Sequence, residues 1–140
     1  MIIKKVRGKN FLSIGNAFLE VDLLKYQRTV IQGFNGSAKS TIANLITFGL
    51  FNQTIKNINR PQIINSVNQK DLVVEIEFDS HGKSYLVRRG IKPNIFEIFE
   101  NGTKLDQTNS GDFQEYLELN IIGTNMKTFL QTSVLSVENY

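Results

Sequence analysis

An α/β fold is predicted by three observations. Thr29-Val30-Ile31-Gln32 is a short β-branched run, of the kind a buried strand uses. It runs into Gly33-Phe34-Asn35-Gly36-Ser37-Ala38-Lys39-Ser40-Thr41, after which apolar residues recur at helical spacing from Ser40 to Phe51. Strand, glycine-punctuated loop and helix in that order hold a phosphate-type loop. Residues 72–105 then alternate apolar and polar between turn signals, which predicts an antiparallel meander.

The elements follow in chain order. Ile2 to Arg7 alternates loosely before Gly8 and reads as a strand, Asn10 to Asn16 as a bend, and Ala17 to Leu23 as a second strand. Thr29 to Gln32 is the third. The helix from Ser40 to Phe51 carries Ile42, Leu45, Ile46, Gly49 and Leu50 on one face. Phe48 and Phe51 widen that face, so packing on more than one side is expected. Asn52 to Asn68 is rich in Asn and Gln with Pro61 inside, a long connection with room for one short strand at Ile63-Ile64. In Leu72 to Asp79, Leu72, Val74, Ile76 and Phe78 share a face opposite Val73, Glu75, Glu77 and Asp79. A turn at Ser80-His81-Gly82-Lys83, a strand from Ser84 to Arg89, a turn from Gly90 to Asn94 and a strand from Ile95 to Glu100 come next. Asn101-Gly102 is a strong hairpin signal leading into Thr103-Lys104-Leu105. Ser110-Gly111-Asp112 opens a helix whose apolar face is Phe113, Tyr116, Leu117 and Asn120-Ile121, with Gly123 ending it. Thr124 and Asn125 are placed to cap a last helix from Met126 to about Thr132. Val134, Leu135 and Val137 form an apolar stretch in need of a partner.

Composition narrows the class. The chain has 140 residues, 41% hydrophobic and 21% charged, ordinary values for a globular domain. Cysteine is absent, which excludes disulfides and thiolate metal sites. Met1-Ile2-Ile3-Lys4-Lys5-Val6-Arg7 has charge but no apolar segment behind it, so a signal peptide is not expected. No apolar run approaches the roughly 18 residues of a membrane span, and the expected location is the cytoplasm. The formal net charge of +3 is weak support for nucleic acid by itself. Lys4, Lys5, Arg7 and Lys9 cluster, either as a strand edge guarded by cations or as a phosphate-backbone contact.

The loop carries the chemistry. Consecutive backbone N–H groups opening a helix N-terminus stabilise the oxygens of a nucleoside triphosphate. Gly33, Asn35, Gly36, Ser37, Ala38, Lys39, Ser40 and Thr41 are the candidate nucleotide-binding residues. Lys39 would meet the β- and γ-phosphates, Ser40 would join a Mg²⁺ shell, and Thr41 would cap the first turn. The alternative is an ordinary glycine-rich turn before a core helix. One position departs from the pattern G-x-x-x-x-G-K-[ST]: Ala38 stands where it has glycine. A positive φ there would cost alanine about 1 kcal/mol, and the Cβ would crowd a phosphate, so weakened ATP binding is expected. Elsewhere, His81 fits a solvent turn, Glu75, Glu77 and Asp79 a solvated strand face rather than a metal site, and Gln131 a packing or solvent position. Arg88-Arg89 is open between a DNA contact and a solvated pair.

These residues carry a resemblance. Ile3-Lys4-Lys5-Val6-Arg7-Gly8-Lys9-Asn10-Phe11-Leu12-Ser13-Ile14-Gly15 resembles the opening strand and K-N-F-x-S turn of the SMC-like, SbcC-family DNA-repair ATPases. Gly33 to Thr41 is similar to their Walker A loop, and Ile46-Thr47-Phe48-Gly49-Leu50-Phe51 to the end of the helix after it. Lys83 to Gly90 and Phe129 to Ser136 also fit. Ile64-Asn65-Ser66-Val67-Asn68 and the segment from Lys92 to Thr103 resemble the branch formed by the large (ATPase) subunits of T-even-type bacteriophage recombination endonucleases. The resemblance covers essentially the whole chain.

It implies a P-loop NTPase fold, with residues 1–140 as the N-terminal lobe of an ABC-type ATPase head. A mixed sheet would surround the phosphate-loop helix, with the antiparallel meander beside it. In the family a coiled coil and a C-terminal lobe follow, and that lobe carries the signature motif, the Walker B acids and the switch histidine. The Q-loop glutamine of cellular relatives would fall near Val137. ATP and Mg²⁺ are the implied cofactors. The implied partners are the C-terminal lobe or a full-length SMC-like ATPase, a nuclease subunit, and DNA in the assembled complex, with no membrane. The implied role is a nucleotide-binding lobe in DNA end processing, in the host cytoplasm if phage-encoded, without hydrolysis or catalytic residues of its own. A second reading is a stand-alone, non-catalytic decoy or regulator that pairs with a full-length ATPase. A third, a small independent P-loop kinase or NTPase, needs an acidic Walker B strand after the helix, and residues 52–68 offer none.

Overall fold

The computed structural model describes residues 1–23, 36–55, 58–65, 67–106 and 110–132, without the side chains of residues 36–39, 110–112, 131 and 132. In chain order these form β1 (Ile2–Lys9), β2 (Leu19–Asp22), α1 (Gly36–Phe51), α2 (Arg60–Ile63), β3 (Leu72–Ser80), β4 (Lys83–Ile91), β5 (Ile95–Glu100), β6 (Thr103–Lys104), α3 (Ser110–Tyr116), a π-helical segment (Leu117–Ile122) and α4 (Met126–Thr132). The strand predicted at Thr29–Gln32 lies outside the described residues, as does the apolar stretch at Val134, Leu135 and Val137.

The strands make one six-stranded sheet in the order β2-β1-β3-β4-β5-β6. Every described pairing is antiparallel. The meander is therefore continuous with β1 and β2 rather than set beside them. Period-two alternation gives the sheet one apolar and one charged face. Val21, Val6, Ile76, Val87 and Ile98 lie in register across five strands, and all are buried. His81-Gly82 and Asn101-Gly102 both turn with positive φ, 52° and 76°, then 50° and 85°. Two such residues close a two-residue hairpin whose twist matches its strands.

α1 lies on the apolar face of the sheet. Ile42 to Phe51 is buried throughout, as the two extra phenylalanines suggest. Two glycines set how close helix and sheet come. A Cβ on Gly8 would stand 2.4 Å from Leu45 Cδ2, and one on Gly49 2.5 Å from Ile76 Cγ1. Ile55 and Phe11 also meet α1. The Ile55 N–H donates to Asn44 Oδ1 at 2.8 Å, and Phe11 meets Phe48 with ring centroids 5.6 Å apart.

The asparagines of that connection are structural. Asn10 is wholly buried. Its Nδ2 donates to Asn16 Oδ1 at 2.8 Å and to the Asp71 carbonyl at 3.1 Å, and its Oδ1 accepts from Asn68 Nδ2 at 2.8 Å. Asn65 donates Nδ2 to the Leu12 carbonyl at 2.9 Å and accepts the Val67 N–H at 3.0 Å. Side-chain amides thus satisfy backbone groups that a buried loop would otherwise leave unpaired.

Five expectations change. Ile63-Ile64 is not a strand: α2 occupies residues 60–63, and Ile64 makes a single bridge to Phe11, because Pro61 at a helix start favours helical geometry. The second strand keeps only Leu19–Asp22 of the predicted span, and β4 runs on to Ile91, shortening the next turn. Tyr116 is 43% exposed, whereas Phe113, Leu117, Ile121 and Ile122 are buried. The wider π turn brings residues four and five apart onto one face, so an α-helical count misplaces Tyr116. β1 is no sheet edge, since it lies between β2 and β3. Gly123 ends the helix as expected, its left-handed backbone sending the N–H to the Glu118 carbonyl at 2.8 Å. Asn125 caps α4 by accepting the Thr128 N–H at 2.8 Å.

Candidate nucleotide site

α1 is helical from Gly36 onward. Gly36, Ser37, Ala38 and Lys39 therefore share its first turn, and Ser40 and Thr41 follow half-buried at the start of the second. Gly33 and Asn35 lie outside the described residues. The first four N–H groups of a helix have no intrahelical acceptor, and no acidic residue stands in this first turn to occupy or repel. With the body of the helix buried, the positive end of its dipole is fixed in place. The N–H groups of this turn suit the oxygens of a phosphate. Ala38 sits in helical backbone, so the strain a positive φ would impose does not arise. What remains of the expected defect is the methyl group where glycine would let backbone approach phosphate.

The opposite end of α1 holds a residue that sequence reading misplaced. Arg89 is buried, 4% exposed, so neither a solvated position nor a DNA contact applies to it. Its Nε donates to the Gly49 carbonyl at 3.2 Å and its Nη2 to Gln114 Oε1 at 2.6 Å. Its guanidinium lies 3.8 Å from the centre of the Phe96 ring. Burial lowers its pKa to about 9, nearby Arg60 pushes the same way, and Glu118 opposes both. The guanidinium stays charged at neutral pH, beside the negative end of the helix dipole. The missed signal was parity: Arg89 shares a strand face with Tyr85 and Val87.

The charged sheet face answers the other candidates. Glu20, Arg7, Glu75, Arg88, Glu97 and Lys104 form a row of alternating sign across all six strands. Arg7 Nη1 is 2.5 Å from Glu75 Oε1, and Lys104 Nζ is 2.9 Å from Glu97 Oε2. Arg7 Nε approaches Glu20 Oε1 to 3.1 Å as an ion pair without hydrogen-bond geometry. Lys4 pairs with Asp79 at 3.1 Å, which is the chief reason the Asp79 carboxyl titrates below its usual value. Of the N-terminal cations, Lys4 and Arg7 are thus engaged within the sheet. Glu75, Glu77 and Asp79 hold no metal arrangement, and none is formed among the described residues. His81 is an exposed turn residue. Gln131 lies in α4, as expected.

Comparison with known proteins agrees with this geometry. A family model described as an AAA domain matches residues 5–139. The chain is 42% identical to exonuclease subunit 2 of Escherichia phage RB69, over 99% of this chain and 25% of the relative. Against the same subunit of Enterobacteria phage T4 the identity is 41%, with the same coverage. A DNA double-strand break repair Rad50 ATPase of Thermoplasma volcanium is 31% identical over 93% of this chain and 14% of that protein. The chain spans about a quarter of the length of the phage relatives. Among solved structures, one from work on ATP-driven dimerization and DNA-stimulated activation of SMC ATPases aligns with a TM-score of 0.54 at 18% identity, covering 99% of both chains. An SMC head bound to the C-winged helix domain of ScpA aligns at 0.50 and 18% identity, over 84% of this chain and 38% of that one. The fold is that of the N-terminal lobe of an ABC-type, P-loop ATPase head. No described helix is long and apolar enough to cross a membrane. The chain belongs to the AAA domain family.

Proposed function

We propose that the chain is the nucleotide-binding lobe of an ATPase subunit that serves DNA recombination and repair, working with a nuclease subunit in the cytoplasm of a phage-infected host. The observation that carries this is the likeness to exonuclease subunit 2 along 99% of the chain, joined to a helix that opens on Gly36 and carries Lys39-Ser40-Thr41 in its first turns. Gly33, Asn35, Gly36, Ser37, Ala38, Lys39, Ser40 and Thr41 hold the triphosphate. The N–H groups of the first turn of α1 orient its oxygens, Lys39 supplies a point charge, and Ser40 holds one place in the Mg²⁺ shell. Bound Mg²⁺ would neutralise charge on the β- and γ-phosphates. Hydrolysis needs a C-terminal lobe and a second head, so these 140 residues bind nucleotide without turning it over.

Binding is weaker than a glycine in place of Ala38 would allow, by about an order of magnitude, the size of a lost contact near 1.4 kcal/mol. Calorimetric titration of ATP with Mg²⁺ into the chain and into Ala38→Gly checks this: equal affinities overturn the proposed defect. Ala38 also favours a second reading, a non-catalytic regulator pairing with a full-length ATPase. Co-purification with the C-terminal lobe of a phage relative decides between them. ATPase activity in the complex supports a working lobe, a tight but silent complex supports the regulator, and turnover by the chain alone refutes both.

A further inference from the structure

Gln114 and Arg89 meet at the end of α1 farthest from the phosphate loop. The carbonyls of Gly49 and Leu50 belong to the last turn of the helix, which lacks intrahelical donors. Arg89 donates to the first at 3.2 Å and Gln114 Nε2 to the second at 3.0 Å. The two side chains bond each other at 2.6 Å, and Gln114 Nε2 also donates to Glu118 Oε2 at 2.8 Å. Glu118 stands in the π-helical segment, and its backbone carbonyl accepts the terminating Gly123 N–H. A continuous set of polar contacts thus joins the last carbonyls of α1 to a segment in a rare geometry. Phe51 against Phe129, with centroids 5.5 Å apart, and Phe96 against Phe113, at 5.1 Å, hold the same elements together without specifying their register.

The π segment would be the element with a second state. Six residues bonded at five-residue spacing can revert to four-residue spacing by shifting one residue. That shift would turn and displace α4 relative to α1. A 16-residue helix, buried from Ile42 to Phe51, is about 24 Å long and would carry a displacement of its first turn to its last. Coupling between distant sites requires a two-state element that both can bias.

We propose that Arg89 and Gln114 form a latch through which nucleotide at the N-terminal end of α1 stabilises the π segment Leu117–Ile122. The latch rests on the nucleotide-binding reading above. Arg89 and Gln114 are positioning residues, since neither reaches the first turn of α1.

Amide hydrogen exchange on the 140-residue chain, with and without saturating ATP and Mg²⁺, tests the latch. In the wild type, nucleotide slows exchange at residues 117–123 about fivefold or more, the lower end of ordinary coupling between sites. In Gln114→Met, ATP still binds by calorimetry but the slowing disappears. Glu118→Ala, at a half-buried position, gives the same result and serves if Gln114→Met does not fold. Absence of slowing in the wild type despite bound ATP, or its persistence in both variants, overturns the latch. Should ATP fail to bind, the nucleotide reading falls alone and the unliganded protein decides the latch. Gln114→Met must then speed exchange of the Asn52 amide, bonded to the Phe48 carbonyl, and of the Gly123 amide. Unchanged exchange at either amide overturns it.

Discussion

Gly49→Ala sets two effects of similar size against each other. Alanine is a better helix former than glycine by about 1 kcal/mol, and Gly49 lies inside α1. A Cβ there would stand 2.5 Å from Ile76 Cγ1, 3.1 Å from Ile76 Cδ1 and 3.4 Å from Val74 Cγ1. Ile76 and Val74 are wholly buried, and Cγ1 is an inner atom of a branched side chain on a central strand, so it cannot swing aside. The helix must instead lift from the sheet. Overpacking costs about 1–3 kcal/mol, and a 2.5 Å approach to an atom that cannot yield puts Gly49→Ala in the upper part of that range, about 2–3 kcal/mol, above the propensity gain. The expected net loss is about 1–2 kcal/mol, a fall in the thermal midpoint of roughly 4 °C or more. Urea unfolding followed by far-UV circular dichroism measures it, and the slope should be unchanged. Ile76→Ala alone costs about 2–5 kcal/mol. Added to Gly49→Ala, it costs less than the sum by about 1 kcal/mol, because the new methyl then occupies space already vacated. A neutral or stabilising Gly49→Ala would refute the close seating of the phosphate-loop helix on β3.

Two further outcomes complete those given with the site and the latch. Asn125→Ala removes the cap of α4 and should cost about 1 kcal/mol, visible as faster amide exchange at Thr128. Asp79 has its folded pKa held below the ordinary carboxylate value, first by its hydrogen bond to Lys4. Its contribution to stability is therefore present above the ordinary carboxylate range and lost as pH falls through the lowered folded value. Lys4→Met should flatten that part of the acid limb in urea midpoints measured at neutral and acid pH. A limb as steep as the wild type refutes the pairing.

The phosphate-loop helix was legible because its evidence is local: a glycine-rich loop, Lys39-Ser40, then apolar residues at helical spacing. The meander was legible for the same reason, since alternation and two hairpin turns each lie within a few residues. Arg88 and Arg89 show where local reading stops. Side by side in sequence, they point to opposite faces of β4, one into the ion-paired row and the other under the sheet. Parity alone places Arg89 with Tyr85 and Val87, but only Phe96, Gly49 and Gln114 make burial of a charge tolerable. Tyr116 was misplaced because nothing in its neighbourhood announces a π turn.

By itself, then, the sequence determined the helix from Ser40 to Phe51 and the alternation of the sheet, both carried by spacing along the chain. Tertiary structure decided what depends on contacts across tens of residues. It put β1 inside the sheet by pairing it with β3, buried Asn10 beside Asn65, Asn68 and Asp71, and joined the end of α1 to the π segment through Arg89 and Gln114. Each of these is a polar group whose cost of burial is offset by a partner far away in sequence, so no window of neighbouring residues could reveal it.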